Sequence, residues 1–175
     1  MDAEEICRVF HACFEQEYRT RLLGGAAEPL YQPATNEASW HKVFFREDFA
    51  ASALHEAAHW CIAGYARRQQ LDFGYWYMSQ RDVEQQRAFE ELEATPQGLE
   101  WIFSIAAGVP FRVSCDNFDE RALALDRFRD MVREAAQEWL AGGLPPRAGR
   151  FARALSQHAG SREVFDQTTY RELPG

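Results

Sequence analysis

Residues 55–59 read His-Glu-Ala-Ala-His, an H-E-x-x-H motif set in an alanine-rich stretch. The motif constrains the fold because it works only on a helix. Positions i and i+4 stack one turn apart on one face, so both imidazoles can reach a single metal ion. Asp48 offers an N-cap to that helix, and the pattern carries it from Phe49 to about Arg68. Ala50, Ala51, Ala53, Ala57, Ala58 and Ala63 leave room for other backbone to approach the pair closely. With only 5 histidines among 175 residues, two at this spacing with Glu56 between them read as a metal site rather than as packing or solvated side chains.

Such a site needs a third ligand. The extension that supplies a third histidine in one metalloprotease group fails here, because Ile62 and Tyr65 stand in the places of its glycine and histidine. The third donor must therefore come from further along the chain. Glu90 and Glu93 lie three apart on one helical face, 30 to 45 residues downstream, where a following helix can cross the first. Glu93 is the preferred ligand; Glu90 is the reserve, or else a partner that holds a histidine tautomer. His55, His59 and one carboxylate leave coordination positions open, which suits catalysis better than a structural role. Zinc and iron both accept this set, and Glu56 is the natural general base if the metal activates water.

Around the motif the pattern is mostly helical. Ile6, Phe10, Cys13, Phe14, Tyr18 and Leu22 give one helix stopped by Gly24-Gly25, and residues 26–40 read as loop. Val43–Arg46, Leu71–Met78 and Phe111–Cys115 read as short strands. A helical turn or two ends near Glu93, and Thr95-Pro96 then opens a new helix with Leu99, Ile102, Phe103 and Ala106 as its buried stripe, up to Gly108. Helices from about Asp119 to Leu140 and from Ala148 to His158 follow. The expected class is α+β, mostly helical with a small sheet of short strands. The expected organisation is one domain over 1–160 and a mobile tail over 161–175.

Composition narrows the function. At 46% hydrophobic the chain can bury a core, while 19 basic against 27 acidic residues leave a net charge of −8, the wrong sign for gripping nucleic acid or an anionic membrane. No apolar run is long enough to span a bilayer, and the opening MDAEEICRVF is acidic where a secretion signal is basic, so a cytoplasmic protein is expected. Cys7, Cys13, Cys61 and Cys115 form no C-x-x-C pair and are expected to be reduced thiols, mostly buried. Phe73, Tyr75, Trp76 and Tyr77 offer an aromatic wall, and Asp116 and Asn117 mark an element end. Arg67, Arg68, Arg147, Arg150 and Arg153 are the basic clusters that could receive an acidic protein.

Longer strings carry a resemblance. His55-Glu56 through His59-Trp60-Cys61-Ile62-Ala63-Gly64, then Ala66-Arg67-Arg68 and Asp72-Phe73-Gly74-Tyr75-Trp76-Tyr77, resemble the elongation factor P hydroxylases of proteobacteria. The likeness continues through Phe89-Glu90, Glu93, Pro96-Gln97, Ala106-Ala107-Gly108, Pro110-Phe111 and Val113-Ser114-Cys115-Asp116-Asn117, with Gly98 and Tyr65 as local departures. The resemblance implies a cytosolic metal-dependent monooxygenase that hydroxylates the β-lysylated lysine of elongation factor P, with a zincin-like metal-binding core. It further implies His55, His59 and Glu93 as ligands, Fe(II) as the working metal with zinc possible, dioxygen as co-substrate, and elongation factor P as partner. A monomer is expected. The competing readings are a small zincin-type zinc metallopeptidase using Glu56, and a binding module in which a metal only staples two helices.

Overall fold

Asp2 starts the first helix with a capping box: its carboxylate accepts from the Glu5 amide while the Glu5 side chain accepts from the Asp2 amide. In the computed structural model, which describes residues 1–35, 40–71, 83–114 and 122–174, this helix is α1 (Ala3–Tyr18). It buries Ile6, Val9, Phe10, Cys13 and Phe14 along one side. It ends four residues before Leu22, because Arg19 turns into the left-handed region at φ 48°. Leu22 instead belongs to a strand, β1 (Thr20–Ala26), where sequence periodicity had placed the helix end.

β1 pairs in parallel with β3 (His41–Arg46), and β2 (Leu30–Gln32) pairs antiparallel on the other side of β3, giving the order β1-β3-β2. Gly24-Gly25 is thus not a helix stop. The register of the β1–β3 pairing shifts between Leu23 and Ala26, and Gly25 takes φ 81° there. A Cβ on Gly24 would lie 2.9 Å from both the Glu47 carbonyl and the Phe45 ring. The expected loop over 26–40 likewise contains a strand.

α2 (Ala50–Ile62) carries the motif. Its N-cap is Phe49 with no side-chain bond, so Asp48 does not cap it, and it ends at Ile62 rather than near Arg68. α3 (Val83–Ala107) is continuous, with Pro96 inside it. The expected break at Glu93 and restart at Thr95 do not occur. An interior proline removes one helical hydrogen bond and costs about 3 kcal/mol. Here Leu99, Trp101, Ile102, Phe103, Ala106 and Ala107 bury almost completely, and that packing outweighs the penalty.

α4 (Ala122–Gly142) and α5 (Pro146–Ala159) follow, and α3 packs against both. A Cβ on Gly98 would stand 2.8 Å from the Ala136 amide nitrogen, so the backbones of α3 and α4 touch at that point. The expected strand at Phe111–Cys115 is absent over its described part. Residues 111–114 instead run as a single segment, with Phe111 stacked on Trp101 and the Ser114 amide and carbonyl both bonded to the Gln97 side chain. The tail over 161–175, expected to be mobile, docks over its described part: Val164 and Tyr170 are fully buried, and the Tyr170 hydroxyl donates to the Val164 carbonyl at 2.7 Å. Leu71–Met78, apart from Leu71 itself, lies outside the described residues, as do Cys115, Asp116 and Asn117.

Mostly helical with a small three-stranded sheet, the fold is α+β. Its aromatic centre joins Phe10, Phe14, Trp60, Phe103 and Phe151, which ties α1, α2, α3 and α5 together behind the histidine pair. Cys13 and Cys61 are buried free thiols and Cys7 is half-buried. Among the described residues no helix is long and apolar enough to cross a membrane.

Candidate metal centre

α2 buries Ala53, Leu54, Ala57, Ala58, Trp60 and Cys61, which turns His55, Glu56 and His59 toward its half-buried side. Ala53, Ala57 and Ala58 are small and fully buried, and α3 packs against α2. α3 meets that side with a stripe of polar residues, Glu93, Gln97 and Glu100, spaced i, i+4 and i+7 and all nearly fully buried. Had the helix broken at Thr95, Glu100 would not share a face with Glu93.

Three side chains converge. His55 Nε2 and His59 Nε2 face each other at 3.1 Å, Glu93 Oε2 lies 3.5 Å from the first and Oε1 3.4 Å from the second, and one donor atom from each residue falls within 4.8 Å of the others. Ligand atoms at about 2.1 Å from one ion, subtending roughly tetrahedral or octahedral angles, stand about 3.0–3.4 Å apart. The imidazole pair already has that spacing, so two nitrogens and a carboxylate suit a divalent ion with little movement. The side chains of His55 and His59 keep 22% and 24% of their surface exposed against 7% for Glu93, which leaves the centre open on one side.

Glu90 is buried but lies outside this group; its carboxylate accepts from the Gln86 amide at 3.2 Å. A residue that spacing did not single out bonds the histidine: Glu100 Oε2 lies 2.8 Å from His55 Nδ1. A signal was available, since Glu100 is seven residues beyond Glu93, but reading Pro96 as a helix start hid it. Gln97 links the centre to its surroundings, bonding Glu93 and clamping Ser114.

The electrostatics follow from this crowding in the metal-free protein. Burial alone would push the His55 imidazole down, but the Glu100 hydrogen bond and charge, with Glu56 and Glu93, raise it to about 10. Burial pushes Glu93 up, yet the His59 hydrogen bond and both imidazoles hold it below the ordinary carboxylate range. Burial raises Glu56, with the same imidazoles pulling against it.

The basic clusters fare differently. Arg147 is not a free docking group: its Nη2 donates to the Trp60, Cys61 and Ala63 carbonyls at the C-terminal end of α2, and its guanidinium sits 4.8 Å from the Trp60 ring centroid. Arg150 pairs with Glu17 at 2.6 Å. Arg68 lies 5.8 and 5.9 Å from the Tyr18 and Trp60 ring centroids. Arg153 is exposed.

Comparison with known proteins adds to this geometry. Residues 9–169 match a family model described as elongation factor P hydroxylase. The chain is 44% identical over 153 residues to the elongation factor P lysine hydroxylase of Haemophilus influenzae, covering 87% of this chain and 86% of that protein.

Proposed function

The chain belongs to the elongation factor P hydroxylase family, and on that premise we propose that His55, His59 and Glu93 hold the metal at which it works. It is an enzyme, an oxidoreductase that hydroxylates a lysine of elongation factor P. The observation that carries the site is that the matched span contains every residue of the centre, and that α2 and α3 bring two imidazoles and one carboxylate within 4.8 Å.

The finer reading builds on the donor set. Two histidines and a carboxylate with open positions support Fe(II) as the working metal, with zinc held by the same ligands. When bound, the metal supplies activation of the co-substrate dioxygen, making the protein a monooxygenase. Two histidines one turn apart, completed by a glutamate from a later helix, support a zincin-like core. Glu56 is half-buried and held toward its protonated form, which suits it to move a proton at the reacting centre. The partly exposed imidazole edges give a protein loop access, so that a lysine can enter from solvent while Glu93 and Glu100 stay covered. We adopt the β-lysylated lysine as the form hydroxylated, the cytoplasm as the place, and residues 1–160 as the unit that carries the reaction.

Intact-mass measurement of elongation factor P from cells lacking this protein tests the reading. Complementation with the wild-type gene should restore the mass of one oxygen atom, and complementation with His55→Ala should not. An oxygen that persists in the deletion strain overturns the assignment. A peptidase reading is not favoured by the family.

A further inference from the structure

Glu100 stands outside the three-residue donor set, yet its carboxylate is buried and bonded to the far side of one of those donors. An ionised carboxylate has no proton to give. The contact with His55 Nδ1 therefore places the proton of a neutral imidazole on Nδ1 and leaves the lone pair on Nε2, the atom that faces His59 and Glu93. The other tautomer would aim an N–H at the point where an ion would be held. Among the described residues, His55 has such a carboxylate and His59 does not.

Glu56, Glu93 and Glu100 crowd like charges around one pair of imidazoles, and a buried carboxylate is costly to desolvate. A costly group placed on a ligand's second nitrogen serves that ligand.

We propose that Glu100 is a positioning residue of the metal centre. It holds the His55 ring and tautomer that present Nε2 and lends that ligand its negative charge, so the centre binds a divalent ion more tightly than His55, His59 and Glu93 would unaided. The inference rests on the proposed reading of His55 as a ligand.

The test titrates metal-free protein with Co(II), following its visible absorption, for wild type, Glu100→Leu, Glu100→Gln and His55→Ala, with thermal unfolding of each in the absence of metal. Glu100→Leu should bind Co(II) about 10–100-fold more weakly. Glu100→Gln keeps an acceptor oxygen and loses the charge, so it should fall between; as the near-isosteric change it also guards against misfolding. Metal-free unfolding shows that both variants are folded, and it registers separately the lost His55–Glu100 contact. A Glu100→Leu affinity within about 2-fold of wild type, or a Glu100→Gln affinity no better than that of Glu100→Leu, overturns the inference alone. Wild type that takes up no stoichiometric Co(II), or His55→Ala that binds as well, overturns the ligand assignment and the inference with it.

Discussion

Replacing Arg147 with alanine separates two roles for the same charge. As a docking group it would matter only when elongation factor P arrives; as the structure has it, Arg147 closes the end of the helix that carries both histidines. Its Nη2 lies 3.1, 3.0 and 2.5 Å from the Trp60, Cys61 and Ala63 carbonyls. One nitrogen has two hydrogens, so it can make two full bonds among those three contacts. At about 1.5 kcal/mol each, the low end for a charged donor because Arg147 is only half-buried, the loss is about 3 kcal/mol. For a chain of this length that lowers the unfolding temperature by roughly 6–12 °C. Lysine keeps the charge but has no planar fork to span several carbonyls, so Arg147→Lys should recover less than half of the loss. Circular dichroism melts and urea midpoints on metal-free protein measure this. An Arg147→Ala variant that melts within about 1 °C of wild type and hydroxylates poorly would refute the capping argument and restore the docking one.

Other outcomes follow from the same geometry. Saturating wild type with a divalent metal at about 100 times its Kd should stabilise it by about 2.7 kcal/mol, a rise of roughly 5–11 °C. Glu93→Gln should lose that rise and Glu90→Gln should keep it; the reverse would exchange the ligand assignment. Tyr170→Phe removes a buried hydroxyl bonded to the Val164 carbonyl and should cost about 1 kcal/mol, seen as a shifted urea midpoint, whereas an unchanged midpoint would show the docked tail to be dispensable. Metal-free protein should also lose stability as pH climbs. The His55 pKa is raised in the folded state, so its contribution is complete below the ordinary histidine value of about 6.5 and drains away through about 10. Glu93, held low, works in the other direction, and its contribution is lost on acidification below the ordinary carboxylate range. Melting profiles of wild type against Glu100→Gln between neutral and alkaline pH would expose the first effect, and parallel profiles would rule it out.

The histidine pair was legible in the sequence because its chemistry depends on spacing within one helix, and a helix conserves spacing. Glu93 was reachable for a related reason: it lies on the face that a crossing helix turns inward. Glu100 was not, since Pro96 reads locally as a helix start, and only burial of the residues that follow it keeps α3 whole. β1 was missed because Leu22 falls on the helical period of α1 by coincidence, while the left-handed turn at Arg19 leaves no mark in composition. Arg147 looked like surface charge because the carbonyls it serves lie more than 80 positions away.

The contact at Gly98 has a consequence for how this sequence can drift. Where helices meet through side chains, a larger residue on one can be matched over generations by a smaller one on the other. At Gly98 the nearest neighbour is the main-chain nitrogen of Ala136, which no substitution removes. Exchange at position 98 therefore has no partner position to compensate it, and any side chain there changes the separation of α3 and α4. A relative with a bulkier residue at this position should hold α4 further from the helix that bears Glu93 and Glu100. Divergence within the family would then appear as a change in helix spacing, with the ligands themselves untouched.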